Sequence, residues 1–192
     1  GSSTLSKKFY VVTTATTASV ALPAGLKDGV NYDATDSTKA TVVLNAPGKS
    51  FVYVAGNFNN WQPGINDVMK KDPASGKFWL TINNLTPNNW YAFQYWVCDT
   101  TPATNSPTLV QTADPFSTLL LSPFDDPEII SLGVYPGLPN YNAIAPGQQR
   151  EVSVIQTGYT AYWQYNWKST TKPNTNINRK DLMIYEVLIR DF

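Results

Sequence analysis

The sequence predicts an all-β protein, an antiparallel β-sandwich, and three observations lead to that class. Hydrophobic patterns with the period of an α-helix are hard to find. Short runs rich in Val, Thr, Tyr, Phe and Trp recur instead, between clusters of Asn, Gly, Pro and Asp that favour turns. Hydrophobic residues make up 42% of the 192 residues, so one domain can bury a sizeable core.

The first predicted strands lie in the N-terminal third of the chain. Residues 9–14 are a candidate strand, and an Ala/Thr-rich stretch then leads to a turn-rich segment over residues 27–39. Residues 40–44 predict a strand that ends at a Pro-Gly turn. Residues 51–55 are apolar on both faces, which predicts a central strand.

Two further segments alternate with the period of two that is typical of a half-buried strand. In residues 77–83, Phe78, Leu80 and Ile82 face one way and Trp79, Thr81 and Asn83 face the other, so one of these two faces is expected to lie on the core. Residues 90–98 have large rings on both faces, so only one face can belong to the ordinary core. The two faces of this second strand carry Tyr91, Phe93, Tyr95 and Val97 on one side and Trp90, Ala92, Gln94, Trp96 and Cys98 on the other.

The second half of the chain is rich in proline, which predicts extended, irregular chain on a surface. We therefore expect a Pro-rich connector over residues 122–180, including a short apolar run at residues 152–155. The sandwich is assigned to residues 30–121, with residues 1–29 as an N-terminal extension or its first strands. The dense apolar segment 181–192 predicts a strand or helix whose partners are missing from this chain.

Composition excludes several classes of function. The 14 basic and 14 acidic side chains give a formal net charge of 0, and without a run of Lys or Arg, nucleic acid is not an expected partner. No apolar run is long enough to predict a membrane span. The chain has no histidine, which excludes Ser-His-Asp, Cys-His and His-ligated zinc sites. Its single cysteine, Cys98, cannot form an internal disulfide.

The carboxylates do not specify a catalytic site. Glycoside hydrolysis needs two carboxylates held about 5–10 Å apart across a sugar, whereas the acids of this chain are spread over predicted turns. Each of them is better explained as a solvated side chain or a turn cap. We therefore assign no catalytic residue to this chain, and we expect no metal and no cofactor.

Aromatic and amide side chains point to carbohydrate binding more directly. A sugar ring presents a face of C–H bonds that stacks on indole, while Asn and Gln side chains pair with its hydroxyls. Trp61 with Asn59 and Asn60 has this chemistry, and so has Trp96 with Gln94. The alternative for Trp61 is a hydrophobic plug at the end of the sandwich.

A second use of the tryptophans is packing against a neighbouring domain. Exposed apolar patches commonly mark interfaces, and the chain offers three candidates for such a patch: Trp79, Trp90 and Trp96. For these side chains interdomain packing is favoured over glycan stacking.

Several segments together resemble a known family. Phe51-Val-Tyr-Val-Ala-Gly-Asn-Phe-Asn-Asn-Trp61, with residues 77–80, 91–95 and 113–116, resembles the early-set, immunoglobulin-like domains that precede the catalytic barrel in glycoside hydrolase family 13. Those domains are related to carbohydrate-binding module family 48, which binds glycogen and starch. The closing residues 181–192 resemble the first strand of the (β/α)8 barrel in the same α-amylase family. The connector of α-amylase-like proteins from Bacteroidetes is similar to four further segments: Ser122-Pro-Phe-Asp-Asp126, Tyr135-Pro136, Val152-Ser-Val-Ile-Gln156 and Tyr162-Trp163.

The resemblance implies a non-catalytic N-terminal part of an α-glucan-acting enzyme of the α-amylase or pullulanase type. The catalytic carboxylates of that family lie beyond the first barrel strand, so none is carried over to this chain. Trp61 matches the first stacking tryptophan of the glucan-binding members. Their ligand-contacting lysine falls at Gln94, and their second tryptophan has no counterpart in residues 100–111.

The partners that the resemblance implies are the catalytic barrel of the same polypeptide and α-glucan oligosaccharides. The implied location is extracellular, cell-surface or periplasmic, because large glucans are met outside the cytoplasm. Two alternatives stay open at this point. One is a genuine starch- or glycogen-binding module, and the other is a purely structural interaction domain without glycan affinity.

Overall fold

A computed structural model describes residues 12–124 and 150–158, all of them within one compact unit, Gly1–Tyr159. In these two ranges the chain forms β-strands, two short 3₁₀ helices (Asn57–Asn59 and Ile65–Asp67) and no α-helix. The all-β class predicted from the sequence is therefore confirmed. The strands are β1 (Gly29–Tyr32), β2 (Ala40–Leu44), β3 (Phe51–Gly56), β4 (Lys70–Lys71), β5 (Phe78–Ile82), β6 (Tyr91–Cys98), β7 (Leu109–Thr112), β8 (Leu120–Leu121) and β9 (Val152–Ile155).

The strands form two antiparallel sheets. The first sheet has the order β1-β2-β5-β4, and the second has the order β3-β6-β9-β8, with β7 also paired to β6. The eight-residue strand β6 pairs with β3 on one side and divides its other side between two partners. Residues 91–93 pair with β9, and residues 95–98 pair with β7. β6 is thus the strand around which the second sheet is built.

The two sheets pack face to face over one apolar core. In β5 the core face is made by Phe78, Leu80 and Ile82, and in β6 it includes Phe93 and Tyr95, so the predicted alternation is confirmed in both strands. Burying such faces is the main driving force for bringing two sheets together. The buried members of this core are Ala40, Val42, Leu44, Val52, Val54, Met69, Phe78, Leu80, Ile82, Leu85, Phe93, Tyr95 and Ile155.

β3 is a correctly predicted strand, but its place in the sheet differs from the expectation. Its apolar faces predicted a central strand, whereas among the described strands it pairs only with β6. On its other side it has a single bridge between Tyr53 and Val68, and the Met69 amide donates to the Val52 carbonyl at 2.8 Å. All six residues are nevertheless buried, because a second apolar layer covers the outer face of this sheet.

Four strands lie where the sequence predicted turns or irregular chain. β1 falls in the turn-rich segment 27–39, β7 and β8 in the Pro-rich stretch before residue 122, and β9 in the predicted connector. β9 lies between β6 and β8 with all four residues buried, so the apolar run 152–155 belongs to the sandwich. Each of these short segments becomes a strand by pairing with a neighbouring strand, and the local pattern of a few residues does not show such pairing.

Other predicted segments lie outside the described residues. These are the entry strand over residues 181–192, residues 125–149 and 159–180 of the connector, and residues 1–11 of the N-terminal extension. The predicted first strand, residues 9–14, is described only from residue 12 onward, and residues 12–14 do not form a strand.

Residues 12–22 form a strap around one edge of the sandwich. At its start, on the outer side of the second sheet, the Tyr53 hydroxyl donates to the Thr13 carbonyl at 3.0 Å. Val12 and Ala15 pack against the apolar layer on the same side. These contacts explain why this Thr- and Val-rich segment is extended without joining a sheet.

The strap then passes the edge strand β4 and covers the first sheet. The Lys71 amide donates to the Ala18 carbonyl at 2.9 Å, and the Val20 amide donates to the Lys71 carbonyl at 3.0 Å. The indole Nε1 of Trp79, on the outer face of β5, donates to the Val20 carbonyl at 3.0 Å. The strap therefore satisfies the free edge of β4 and shields Trp79, as natural sheets commonly protect their edges.

Replacement of Gly29 by alanine is expected to destabilise the fold by at least about 2 kcal/mol. Gly29 has a φ of +94°, and an added Cβ would lie 2.8 Å from the Cβ of Phe116. Gly25→Ala is the matched control, because Gly25 has a φ of +85° with no heavy atom within 4 Å of an added Cβ. Urea unfolding should show a larger loss for Gly29→Ala, and equal losses would contradict close packing at Gly29.

Candidate functional site

The loop predicted to bind glycan turns its tryptophan inward. The 3₁₀ helix Asn57–Asn59 is followed by Asn60 (φ 53°) and Trp61 (φ 58°), both in the left-handed region. The Trp61 amide donates to the Gly56 carbonyl at 2.8 Å, which closes the turn. The side chain of Trp61 is only 1% exposed. A stacking platform needs an open ring face, and Trp61 does not offer one in this structure.

Trp61 is part of a second apolar layer on the outer face of the second sheet, which we call the outer layer. Its strand members come from β3, β6, β8 and β9, and Trp61 contributes the loop residue. The second sheet is thus apolar on both faces, which explains the large rings on both sides of β6. The buried residues of the outer layer are Phe51, Tyr53, Ala55, Trp61, Ala92, Trp96, Cys98, Leu121, Val152 and Val154.

Gln94 and Trp96 also belong to this buried side of β6. Gln94 is 0% exposed, and its Nε2 donates to the Glu151 carbonyl at 3.0 Å. Trp96 is 3% exposed and, with Tyr53 and Trp61, lines a cavity of about 260 Å³. The five predicted glycan-binding residues therefore do not form an open surface, although the structure does bring the rings of Trp61 and Trp96 to the same cavity.

The amide of Asn59 serves the fold of the loop. Its Oδ1 accepts from the Gly56 amide and its Nδ2 donates to the Val54 carbonyl, both at 2.9 Å. Asn60 is exposed and occupies a left-handed position that asparagine tolerates well. Both residues thus have conformational roles in reversing the chain after β3.

The tryptophans predicted to pack on another domain have different surroundings. Trp79 is 6% exposed under the strap, with the ammonium of Lys70 4.5 Å from the centroid of its ring. The prediction of interdomain packing did not anticipate that the chain covers this ring with its own N-terminal segment. Trp90 is half-buried and packs against the rim of the outer layer.

A buried carboxylate, which the sequence analysis did not single out, joins three parts of the sandwich. The Tyr95 hydroxyl donates to Oδ2 of Asp114 at 2.8 Å, and the Phe116 amide donates to Oδ1 at 2.8 Å. The Asp114 amide donates to the Ser153 hydroxyl at 2.7 Å. Burial raises the pKa of the Asp114 carboxyl and raises that of the Tyr95 hydroxyl strongly. Asp114 is 3% exposed, and its three hydrogen bonds connect β6, β9 and the β7–β8 connection.

A cleft of about 450 Å³ opens on the other side of the Trp61 loop. It lies where the two 3₁₀ helices meet the end of β5, and asparagine is the commonest residue in its lining. Sequence reasoning missed it because its two walls are separated along the chain. The lining residues are Phe58, Asn59, Asn66, Asp67, Leu80, Thr81, Ile82, Asn83 and Asn84.

Within residues 12–124 and 150–158, no three His, Cys, Asp or Glu side chains are grouped so that they could hold a metal ion. In the same ranges, no helix has the length and apolarity needed to cross a bilayer.

The fold and the cleft define this chain as an all-β sandwich with an amide-lined surface cleft. Comparison of the sequence with protein-family models and with curated proteins found no match.

Proposed function

We propose that this chain is a non-catalytic, early-set-like domain of a family 13 enzyme that acts on α-glucans, and that it packs on the catalytic barrel of the same polypeptide. The enzyme family and the barrel come from the sequence resemblance of residues 51–61 and 181–192. The packing role is supported by one structural observation, the distribution of exposed apolar side chains. A packing role is also compatible with the burial of Trp61, the predicted stacking tryptophan.

The exposed apolar side chains concentrate in one stretch of the chain. Among the described residues, large apolar side chains are exposed at seven positions, and four of these fall within residues 110–124. Phe116 and Phe124 are 60% and 68% exposed, values that are costly for phenylalanine in water. This stretch is therefore the candidate for an interface with another domain, because exposed apolar surface commonly marks such interfaces. The four positions are Val110, Phe116, Leu120 and Phe124.

Removal of both phenylalanines should weaken association with the barrel at least about tenfold, since each buries a large apolar area in an interface. The double variant Phe116→Ser/Phe124→Ser would be titrated with the separately produced catalytic barrel that the proposal places in the same polypeptide. Ile65→Ser is the matched control, because Ile65 is 73% exposed but lies in the Trp61 loop region. Absence of association in the wild-type chain, or equal loss in the control, would overturn the proposal.

A glucan-binding module is the second candidate function, and the amide-lined cleft is the observation that favours it. The two functions are compatible, because the cleft residues and residues 110–124 do not overlap in sequence. A purely structural domain would associate with the barrel and show no saturable binding of maltooligosaccharides.

A further inference from the structure

The strap meets the edge of the first sheet through alternate main-chain groups, as an added β-strand does. The Ala18 carbonyl accepts from the Lys71 amide at 2.9 Å, and the Val20 amide donates to the Lys71 carbonyl at 3.0 Å. The bridge that these two bonds form, between Ser19 and Lys71, is parallel. The amide and carbonyl of Ser19 itself make no hydrogen bond among the described residues. Alternate residues of the strap thus face the edge of β4, which is how an extended peptide adds a strand to a sheet.

Two side chains of the sandwich body continue this contact beyond β4. The indole Nε1 of Trp79 donates to the Val20 carbonyl at 3.0 Å, and Oδ1 of Asp72 accepts from the Leu22 amide at 3.2 Å. Both side chains therefore bind the main chain of the strap. We call the edge at Lys71, together with the side chains of Trp79 and Asp72, the acceptor slot.

The acceptor slot uses little of the strap's own sequence. Ala18, Ser19 and Val20 are exposed, and Leu22 is half-buried. Residues 12–22 contain no charged side chain. Because main-chain hydrogen bonds rather than deep side-chain pockets hold residues 18–22, the slot can bind the same segment from another molecule.

The strap is joined to β1 by a short exposed connection. Residues 23–25 are exposed, the chain turns at residues 24–25, and Gly25 has a φ of +85°. A terminal segment on such a connection can leave its own slot and enter the slot of an identical chain, with every contact preserved.

We propose that the acceptor slot is a strand-exchange site that binds the strap of a second copy of this chain. Reciprocal exchange gives a closed dimer in which each slot makes the same hydrogen bonds as in the monomer. In dilute solution the chain's own strap occupies the slot, because the tether gives it a high effective concentration. Exchange is therefore expected when the tethered strap is weakened or prevented from reaching its own slot.

An acidic peptide is the less favoured occupant. Lys70 and Lys71 lie at the slot and form no ion pair among the described residues, but their ammonium groups lie 4.5 Å and 4.9 Å from the ring centroids of Trp79 and Phe78. The Asp72 carboxylate, which accepts the Leu22 amide, would repel an acidic side chain. The uncharged strap avoids this repulsion.

The first test uses the full 192-residue chain with the substitution Val20→Pro. Proline removes the amide that donates to Lys71, so the tethered strap should leave the slot and the Trp79 indole proton should exchange faster with solvent. A synthetic peptide of residues 12–22 is then added and followed by ¹H–¹⁵N NMR. We expect saturable shifts at Lys71 and at the Trp79 indole, with a dissociation constant on the order of 1 mM. The peptide should slow exchange of the indole proton at least about tenfold.

Ser19→Pro is the matched control, because the Ser19 amide makes no hydrogen bond among the described residues and proline is tolerated at such an edge position. This variant should keep its own strap and take up no peptide. A peptide of residues 12–22 that carries Val20→Pro should not bind either variant. Failure of the wild-type peptide to bind the Val20→Pro chain, equal binding of the proline peptide, or tighter binding of an acidic peptide of the same length would each overturn the proposal.

The second test prevents the strap from reaching its own slot. The order β1-β2-β5-β4 places β4 three strand spacings from β1, or about 14 Å. Deletion of residues 24–26 leaves four residue steps between Leu22 and Gly29, which span at most about 14 Å and leave no length for the turn. Light scattering should show a dimer for the deletion variant and a monomer when Val20→Pro is added. A monomeric deletion variant, or a dimer that survives Val20→Pro, would contradict strap exchange.

Discussion

Replacement of Trp61 by alanine should lower the free energy of unfolding by about 3–5 kcal/mol. Trp61 is 1% exposed, and among the described residues it is the buried side chain that the loop after β3 contributes to the outer layer. Alanine would leave a cavity beside Tyr53 and Trp96, which already line a cavity of about 260 Å³ with Trp61. Urea unfolding followed by circular dichroism measures this loss without depending on the fluorescence of the removed indole.

The control for this prediction is Trp61→Phe, which keeps a ring in the layer and should lose less than half as much stability. The size of the effect decides between the two roles considered for Trp61. A stacking tryptophan at the surface could be removed at a cost of about 0.5 kcal/mol or less. A loss that small, together with loss of maltoheptaose binding, would contradict the plug role and return the glycan site to Trp61.

Replacement of Asp114 by alanine is expected to cost about 2–4 kcal/mol. The substitution leaves the Tyr95 hydroxyl and the Phe116 amide without their acceptor, and Tyr95 is 0% exposed. An unpaired buried donor is much more costly than the net value of the bond it made. Urea unfolding at neutral pH gives the measurement, and a loss below about 1 kcal/mol would show that water replaces the carboxylate.

Asp114→Asn is the control, since it preserves the shape of the side chain and an acceptor for the Phe116 amide. It should be less destabilising than alanine, and it also isolates the titration of this carboxyl. Burial raises the pKa of Asp114 in the folded state, although hydrogen bonds from Phe116 and Tyr95 oppose the rise. The folded state therefore holds this proton more tightly than the unfolded state does.

The sign of the pH dependence follows from that difference. The contribution of Asp114 to stability is fully present below its unfolded pKa and is lost as the pH rises through its raised folded pKa. The stability of the wild-type chain minus that of Asp114→Asn should thus decrease from acidic toward neutral pH. The subtraction removes the opposite contribution of carboxyls whose pKa is lowered by hydrogen bonds: Asp33, Asp36, Asp72 and Asp99. A difference that increases with pH would contradict a buried Asp114.

Some parts of the fold were predictable because their signal is local. β2 and β5 were found from short apolar or alternating runs, and the two faces of β6 were separated correctly before any contact was known. β1 shows where prediction from short local patterns fails. Asn31 gives the segment the composition of a turn, and its Nδ2 does donate to the Lys27 carbonyl at 2.7 Å, yet residues 29–32 pair with β2 in full register.

The candidate site was less predictable than the strands. The sequence left Trp61 as either a stacking residue or a plug, and it held no information to choose between them. That choice depends on the left-handed dihedral angles of Asn60 and Trp61 and on the apolar face that β6 presents to the loop. Trp79 was assigned to an interface for a similar reason, because the strap that covers it is distant in sequence.

Composition and alternation along the chain were sufficient to predict the all-β class, the alternating faces of β5 and β6, and the exclusion of histidine-dependent chemistry. The folded structure was needed to show which of those faces lies on the core, that Trp61 packs inward, that residues 152–155 complete the second sheet, and that asparagines from two separate loops meet at one cleft. These features arise from contacts between segments many residues apart. The free energy that fixes them comes from burial and pairing in the assembled sandwich, and no local pattern encodes it.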